Sequence, residues 1–466
     1  MEIRQGDYGK KVLKVEPGGV EAIAEKDRHG RPGHLFATWM SPNLEFATIY
    51  VGALGVFFGL NFVQAVIGIL LGNGLGALAH YFLTKDGPRY GVPQMVLGRA
   101  AFGRLGNILP SASNAFAAGI GWFAVNSVSG AFALATLSHW SVTTSLLTVV
   151  IVQIAIAFLG HNLVQKVERY LMPYLALVFG WAAIVIFSKS HLNAPNHWYF
   201  PGAFLVFTGA VYGYAAGWNP FAADFARYLP AKTNPKSAGL MASLGLFTSA
   251  TVLQIVGAAA VSAGMRNYGA NTNPVADFTH FLPTSLGKLV LFGIVLGSIC
   301  ANALNIYSGS MSFLAMGVKL PTNLLRAITA LVFGIAGYLV AHWAATNPAN
   351  NLENFLLVMS YWIGPWLGVI FADKIIRRNK DIRPLLFAKR ENWAGPVAFV
   401  VAIAFAIWGF VNQTWNTGNP KNPTDYINGY FVQHHPKIGD LTFWVGFIVA
   451  FVLYVIVAGK KVKAEK

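Results

Sequence analysis

Apolar residues in this chain gather into long runs divided by short polar connections. The runs lie at 35–59, 62–83, 107–137, 142–159, 170–187, 202–224, 238–263, 286–316, 323–341, 352–372, 394–410 and 441–458. Each is close to or above the ~20 residues that carry an α-helix across ~30 Å of hydrocarbon, so the pattern predicts twelve membrane-spanning helices. Two runs are interrupted. The first holds Ser41, Pro42 and Asn43, followed by Glu45. The sixth, five helices later and therefore crossing in the opposite sense, holds Gly217, Trp218, Asn219 and Pro220. A proline alone is often only a kink in a membrane helix. A matched pair of breaks says more, because backbone groups released by a break cannot face lipid and must line a cavity. Interrupted helices at corresponding places in two inverted halves point to a transporter's binding site.

Composition agrees with the run pattern. The chain is 55% hydrophobic and 11% charged, against roughly a quarter charged in soluble domains, which is the balance of an integral membrane protein. Its single cysteine, Cys300, lies inside an apolar run, which excludes a disulfide framework and a cysteine metal cluster. The net charge of +16 suggests nucleic acid until it is mapped. Lys and Arg crowd the N-terminal arm (Lys26, Arg28 and Arg31 among them), the second connection (Lys85, Arg89, Arg99, Arg104), the tenth (Lys374, Arg377, Arg378, Lys380) and the C-terminal tail. The opposite connections hold only Lys189, Arg266, Lys421 and Lys437. The positive-inside rule then puts both termini in the cytoplasm, and the basicity is topology rather than nucleic-acid binding. The first thirty-odd residues have no apolar h-region and read as a retained cytoplasmic arm, not a signal peptide.

Candidate chemistry follows from the polar residues inside the runs. Glu45 stands two residues after the first break, where an ionised carboxylate costs a few kcal/mol, so it is expected to be protonated, partnered or facing water. It either hydrogen-bonds a neighbouring helix or contacts substrate or a proton. In the third run Trp122 and Asn126 are four apart and share one helix face. An indole stacks on a flat ring and a carboxamide offers a donor and an acceptor to its edge, a combination suited to a planar heterocycle. Tyr214 and Trp218 repeat the aromatic theme in the sixth run, although each aromatic alone is more often packing. Asn302 and Asn305 lie on nearly one face of the eighth run, and buried carboxamides need partners, so interhelical bonding competes there with a substrate role. A channel needs no paired breaks around an occluded site. A membrane-embedded enzyme needs a catalytic constellation, yet the histidines (His80 and His342 among them) are scattered and no HExxH or paired-acid motif occurs.

Taken together, the SPNLEFAT segment from Ser41, the PQMVLGRAAFGRLGNILP connection from Pro93 to Pro110, GWFAVN of the third run and GWNPFAADFARYLP of the sixth resemble the nucleobase:cation symporter family, in its purine and cytosine permease branch. The resemblance covers the whole chain. It implies an all-α polytopic membrane protein with the leucine-transporter type of fold: twelve transmembrane helices, a five-plus-five inverted repeat plus two C-terminal helices, and alternating access. The expected division is a cytoplasmic arm (1–34), a first repeat (35–188), a second repeat (202–372), helices eleven and twelve (394–459) and a cytoplasmic tail (460–466). By resemblance, Trp122 is the stacking residue, Asn126 the edge-reading amide, Glu45 the polar contact of helix one, Asn302 the amide of helix eight and Asn305 near a second contact. The second stacking position falls on Tyr214 or Ala215, with Trp218 as a further candidate. Asp224 is expected to close the cytoplasmic end rather than to touch substrate.

The resemblance also bears on the coupling ion. Sodium-coupled members place hydroxyls on helix eight, where this chain has Cys300 and Ala301, with Ser298 nearby. Together with the acid at position 45 this favours H+ over Na+. The implied activity is import of a cytosine- or purine-type base by cation symport across a plasma or inner membrane. Allantoin, a hydantoin or a ring vitamin is the alternative cargo. No prosthetic group, resident metal, nucleic acid or protein partner is implied.

Overall fold

The computed structural model describes residues 3–4, 19–159, 161–195, 197, 200–265, 272–318, 322–378, 380–414 and 426–464. Arg266 and Lys421, counted above for topology, lie outside the described residues. The first half contains α1 (Pro32–Met40), α2 (Phe46–Phe57), α3 (Phe62–Thr84), α4 (Asp86–Tyr90), α5 (Gln94–Leu97), α6 (Arg99–Phe102), α7 (Ile108–Phe116), α8 (Phe123–Ser138), α9 (Val142–Leu159) and α10 (His161–Lys189). The second contains α11 (Ala203–Ala216), α12 (Ala222–Ala226), α13 (Pro235–Ser262), α14 (Pro274–His280), α15 (Thr284–Ala315), α16 (Thr322–Ala344) and α17 (Pro348–Arg377). Then come α18 (Arg383–Leu386), α19 (Ala394–Phe410), α20 (Tyr430–His434) and α21 (Thr442–Ala464). Among the described residues, seven helices are long and apolar enough to cross a membrane, and four shorter apolar helices accompany them.

Both expected breaks are present. Ser41–Asn43 form a 3-10 turn, Leu44 (φ −82°, ψ 67°) and Glu45 (φ −153°, ψ 174°) leave helical geometry, and α2 restarts at Phe46. In the sixth run α11 stops at Ala216, Asn219–Phe221 form a 3-10 turn, and α12 follows. Pro42 and Pro220 supply the local cause, since each lacks an N–H and crowds the preceding turn. A π-helical turn, Ala117–Trp122, joins α7 to α8, so the third run is continuous but locally widened at Trp122.

Three features depart from the expected pattern. The α10 helix begins at His161, nine residues before the apolar run, and carries the buried Glu168 on its first turns. The second connection folds into α4, α5 and α6 rather than a plain loop. A two-stranded antiparallel ribbon, β1 (Asn412–Thr414) with β2 (Tyr426–Asn428), qualifies the all-α expectation.

Packing is reciprocal between the halves. The broken helix α1/α2 packs on α13, the broken helix α11 packs on α3, and α3 packs on α13. Likewise α9 lies against both α8 and α15, and α16 lies against the same two helices, while α19 and α21 pack together on α17. Small residues permit the closest crossings: a methyl group added at Gly52 or Gly257 would overlap the Gln254 or Ile49 carbonyl across the α2–α13 interface. Without a hydrophobic drive between helices in lipid, such close approach is a main source of cohesion.

Candidate functional site

The two breaks meet at Asn43. Its Nδ2 donates to the Trp39 carbonyl at 2.8 Å, and its Oδ1 accepts both the Tyr214 hydroxyl and the Trp218 indole N–H, each at 3.0 Å. Thr48 donates to the Asn43 carbonyl at 2.6 Å and also bonds the Tyr214 hydroxyl. One carboxamide in the unwound segment of helix one thus holds two side chains of helix six. On the far side of the second break, Asn219 Oδ1 meets His80 Nδ1 of α3 at 3.3 Å, and His80 sits edge-on to Trp39 at 4.3 Å. His80, scattered in the sequence, therefore belongs beside the site.

Trp122 faces the second break directly: a methyl added at Gly217 would come within 2.6 Å of its ring. Trp122 and Trp218 are nearly parallel, with ring centroids 6.3 Å apart and planes 11° from each other. Tyr214 stands edge-on to Trp122 at 5.5 Å (87°), and Phe355 of α17 does so at 4.9 Å (86°). The parallel partner of Trp122 is Trp218, Tyr214 is a perpendicular wall tied to Asn43, and Ala215 turns away to pack on Gly76 of α3. A cavity of about 120 Å³ adjoins this cluster, bounded by Phe46, Tyr50, Val125, Ser129 and Phe355.

Glu45 is 1% exposed, and the groups the structure places around its carboxylate are polar but uncharged. Its electrostatic neighbours are the amides of Phe46, Ala47 and Thr48 at the start of α2, the Ser129 hydroxyl and Tyr214. A helix N-terminus suits an anion, so the unwound turn offers the acid partial compensation and no counter-charge.

The amides of α8 and α15 form one network. Asn302 Nδ2 donates to the Phe123 carbonyl (2.9 Å) and to Ser127 Oγ (3.0 Å), and its Oδ1 accepts from Asn126 and Asn305, both at 3.1 Å. A carboxamide has two donors and two acceptor positions, so Asn302 is fully committed. In this conformation Asn302 braces the helices and orients Asn126 and Asn305. Asn305 keeps an open Oδ1.

Ser298 does not restore an oxygen ligand beside the first break. Its hydroxyl donates to the Val295 carbonyl at 2.8 Å and faces Gly130 of α8. The α15 residue over Leu44 and Glu45 is Gly297. What the sequence reading missed is Glu168. It is fully buried on α10 and faces Ser41 of the break and Cys300 of α15. The one cue was its odd position, an acid just ahead of an apolar run. Asp224 lies at the end of the second break, where its Oδ1 accepts the Gln94 N–H at 2.8 Å. It anchors α12 to α5, away from the aromatic cluster.

Residues 22–446 match the family model described as permease for cytosine/purines, uracil, thiamine, allantoin. The chain belongs to this family. It is a multi-pass membrane transporter and not an enzyme. It is 28% identical over 470 residues to YxlA of Bacillus subtilis (strain 168), a purine-cytosine permease by name, with 97% of each chain covered. It is 26% identical to the purine-cytosine permease FCY21 of Saccharomyces cerevisiae, over 95% of this chain and 86% of that one. The fold is that of Mhp1, a nucleobase-cation-symport-1 family transporter solved in a closed conformation with bromovinylhydantoin bound: TM-score 0.72 at 16% identity, covering 96% of both chains. The inward-facing Mhp1 structure matches with TM-score 0.71.

Proposed function

We propose that the protein imports a nucleobase of cytosine or purine type by proton symport, with alternating access around the paired breaks. The observation that carries the substrate class is the near-parallel indole pair Trp122 and Trp218, with Asn126 one turn beyond Trp122, Asn305 joined to it through Asn302, and the buried Glu45 beside Tyr214. Flat faces with amide- and acid-lined edges suit an unsubstituted heteroaromatic ring. A ring between the indoles needs about 7 Å between their planes, twice a ~3.5 Å contact, and that separation is what receiving the cargo requires. Purine-cytosine permeases among the relatives support a base, whereas the vitamin B6 transporter TPN1 of Saccharomyces cerevisiae, 24% identical over 79% of this chain, keeps another planar ring as the second reading.

The reciprocal packing of α1/α2 on α13 and of α11 on α3 supports a five-plus-five inverted repeat of helices one to five and six to ten, within twelve spans. The basic connections support cytoplasmic termini. Two features support a proton: the α15 face at the first break offers Gly297 and Cys300 rather than hydroxyls, which a hard cation would need, and two buried carboxylates, Glu45 and Glu168, flank that break. The experiment is a thermal-shift and binding panel on purified protein with cytosine, uracil, adenine, hypoxanthine, guanine, allantoin and ring vitamins. At least one free base should bind more tightly than its nucleoside. Saturable binding of nucleosides or amino acids with no response to any base rejects the reading.

A further inference from the structure

A second concave feature lies away from the aromatic cluster, on the lateral surface where α3, α17 and α21 meet. It is a cleft of about 1180 Å³ with two chemically distinct ends. Its wall is apolar and includes Leu78 and Phe82 of α3, Phe371 of α17, and Phe447 and Phe451 of α21. Leu78 and Phe82 are 55% and 43% exposed. Its mouth is basic: Lys85 and Arg89 at the α3–α4 corner, Lys236 in the first turn of α13, and Lys374 and Arg378 at the end of α17. Among the described residues the acid lining it is Asp86, which accepts Lys374 Nζ at 2.6 Å. Five cations against one carboxylate leave a net +4. The N-terminus of the 28-residue α13 opens at the same mouth, through Asn234, Pro235 and Lys236, and adds positive partial charge.

We propose that this cleft binds an anionic phospholipid, with its acyl chains on the apolar wall and its phosphate at the basic mouth. A neutral apolar guest offers nothing that matches the positive charge of the mouth. A small water-soluble anion leaves the exposed wall uncovered. A zwitterionic lipid brings its own cation to a mouth that is already positive. Basic pockets between membrane helices at the cytoplasmic face are suited to anionic headgroups, and the positive-inside reading assigns this mouth to the inner leaflet. The site does not depend on the identity of the transported molecule. It joins α3, which packs on the broken helix α11, to α17, which places Phe355 against Trp122.

The test titrates delipidated full-length protein with phosphatidylglycerol or with phosphatidylcholine of the same chains, and reads bound lipid per protomer by native mass spectrometry. Phosphatidylglycerol should bind one per protomer, at least tenfold more tightly. K85Q/R89Q/K236Q should weaken it on the order of 100-fold, about fivefold per charge removed, with phosphatidylcholine unchanged. Lys374 is left intact because Asp86 holds it, and if the triple variant fails to fold, K236Q/R378Q at two exposed positions should still weaken binding on the order of tenfold. Equal affinity for the two lipids, or no effect of either variant, overturns the proposal. So does displacement by inorganic phosphate at matched ionic strength, which marks a free-phosphate site, or dimer formation that expels lipid, which marks a second copy as the occupant.

Discussion

Replacing Trp122 separates stacking from packing. The indole is 4% exposed and touches three rings: Trp218 in parallel at 6.3 Å, and Tyr214 and Phe355 edge-on at 5.5 and 4.9 Å. A base inserted against Trp218 needs about 7 Å between the two indole planes, and each face then carries one stacking contact. Stacking on an aromatic is worth about 1–3 kcal/mol by alanine substitution. Trp122→Ala should therefore weaken base affinity about 5- to 150-fold, and Trp122→Phe, which keeps a π face, less than about tenfold. Removing a buried Trp also lowers stability by about 3–5 kcal/mol, so the two effects must be read apart. Dissociation constants are measured on the folded, monodisperse fraction, and thermal midpoints are measured without ligand. An alanine variant that folds, is less stable and binds the base with unchanged affinity would show that Trp122 only packs, and the stacking argument falls.

Four further perturbations test other parts of the structure. Asn302→Ala removes four hydrogen bonds and should cost about 2–4 kcal/mol while also weakening substrate binding through Asn126 and Asn305; unchanged stability would show that the amide network is not a brace. Glu45→Gln and Glu168→Gln should each exchange substrate in counterflow, and at least one should fail to concentrate it under an imposed pH gradient in sodium-free buffer; normal accumulation by both removes the proton role. Gly52→Ala forces α2 away from α13, and the overlap with backbone should cost about 3 kcal/mol or more; a wild-type thermal midpoint would contradict the close crossing. Burial pushes the Asp440 carboxyl from 3.8 up to about 6 despite its bonds to Tyr361, Asn412 and Thr442. Its protonation therefore favours the folded state, and that contribution, complete below about pH 3.8, is lost as pH rises through about 6. Wild-type thermal midpoints should fall across that window more than those of Asp440→Asn, and parallel profiles would refute the shift.

The helices were legible because lipid demands long apolar runs: the expected 394–410 is the observed Ala394–Phe410, and both breaks announced themselves through proline. What stayed hidden depends on which neighbour a side chain meets. Glu168 sits in a QKVERY sequence that reads as a solvated helix start, and only the approach of Ser41 and of α15 buries it. Asn302 and Asn305 could be put on one face from their spacing, but not that one of them would exhaust its bonding capacity on α8.

The assignment of the stacking partner shows the same limit in a form that bears on mechanism. Tyr214 and Trp218 are four residues apart in the interrupted sixth run, and because the helix stops at Ala216 Trp218 lies parallel to Trp122 while Tyr214 stands edge-on to it. Its indole N–H is then held by Asn43 Oδ1, which the Tyr214 hydroxyl also occupies. Parting the indoles to admit a ring must lengthen or break one of these bonds if Trp218 moves, or displace Trp122 from Phe355 and Gly217 if it does not. The first course pulls on the unwound turn of helix one, two residues before Glu45; the second pulls on α17. Substrate entry is thus mechanically tied either to the segment that bears the buried acid or to the helix that closes the adjoining cavity. Asn43→Ala separates them: if Trp218 is the moving ring, the variant should bind base at least as tightly as wild type but accumulate it poorly, because the link from ring to acid is gone. If Trp122 moves instead, affinity and accumulation should change together.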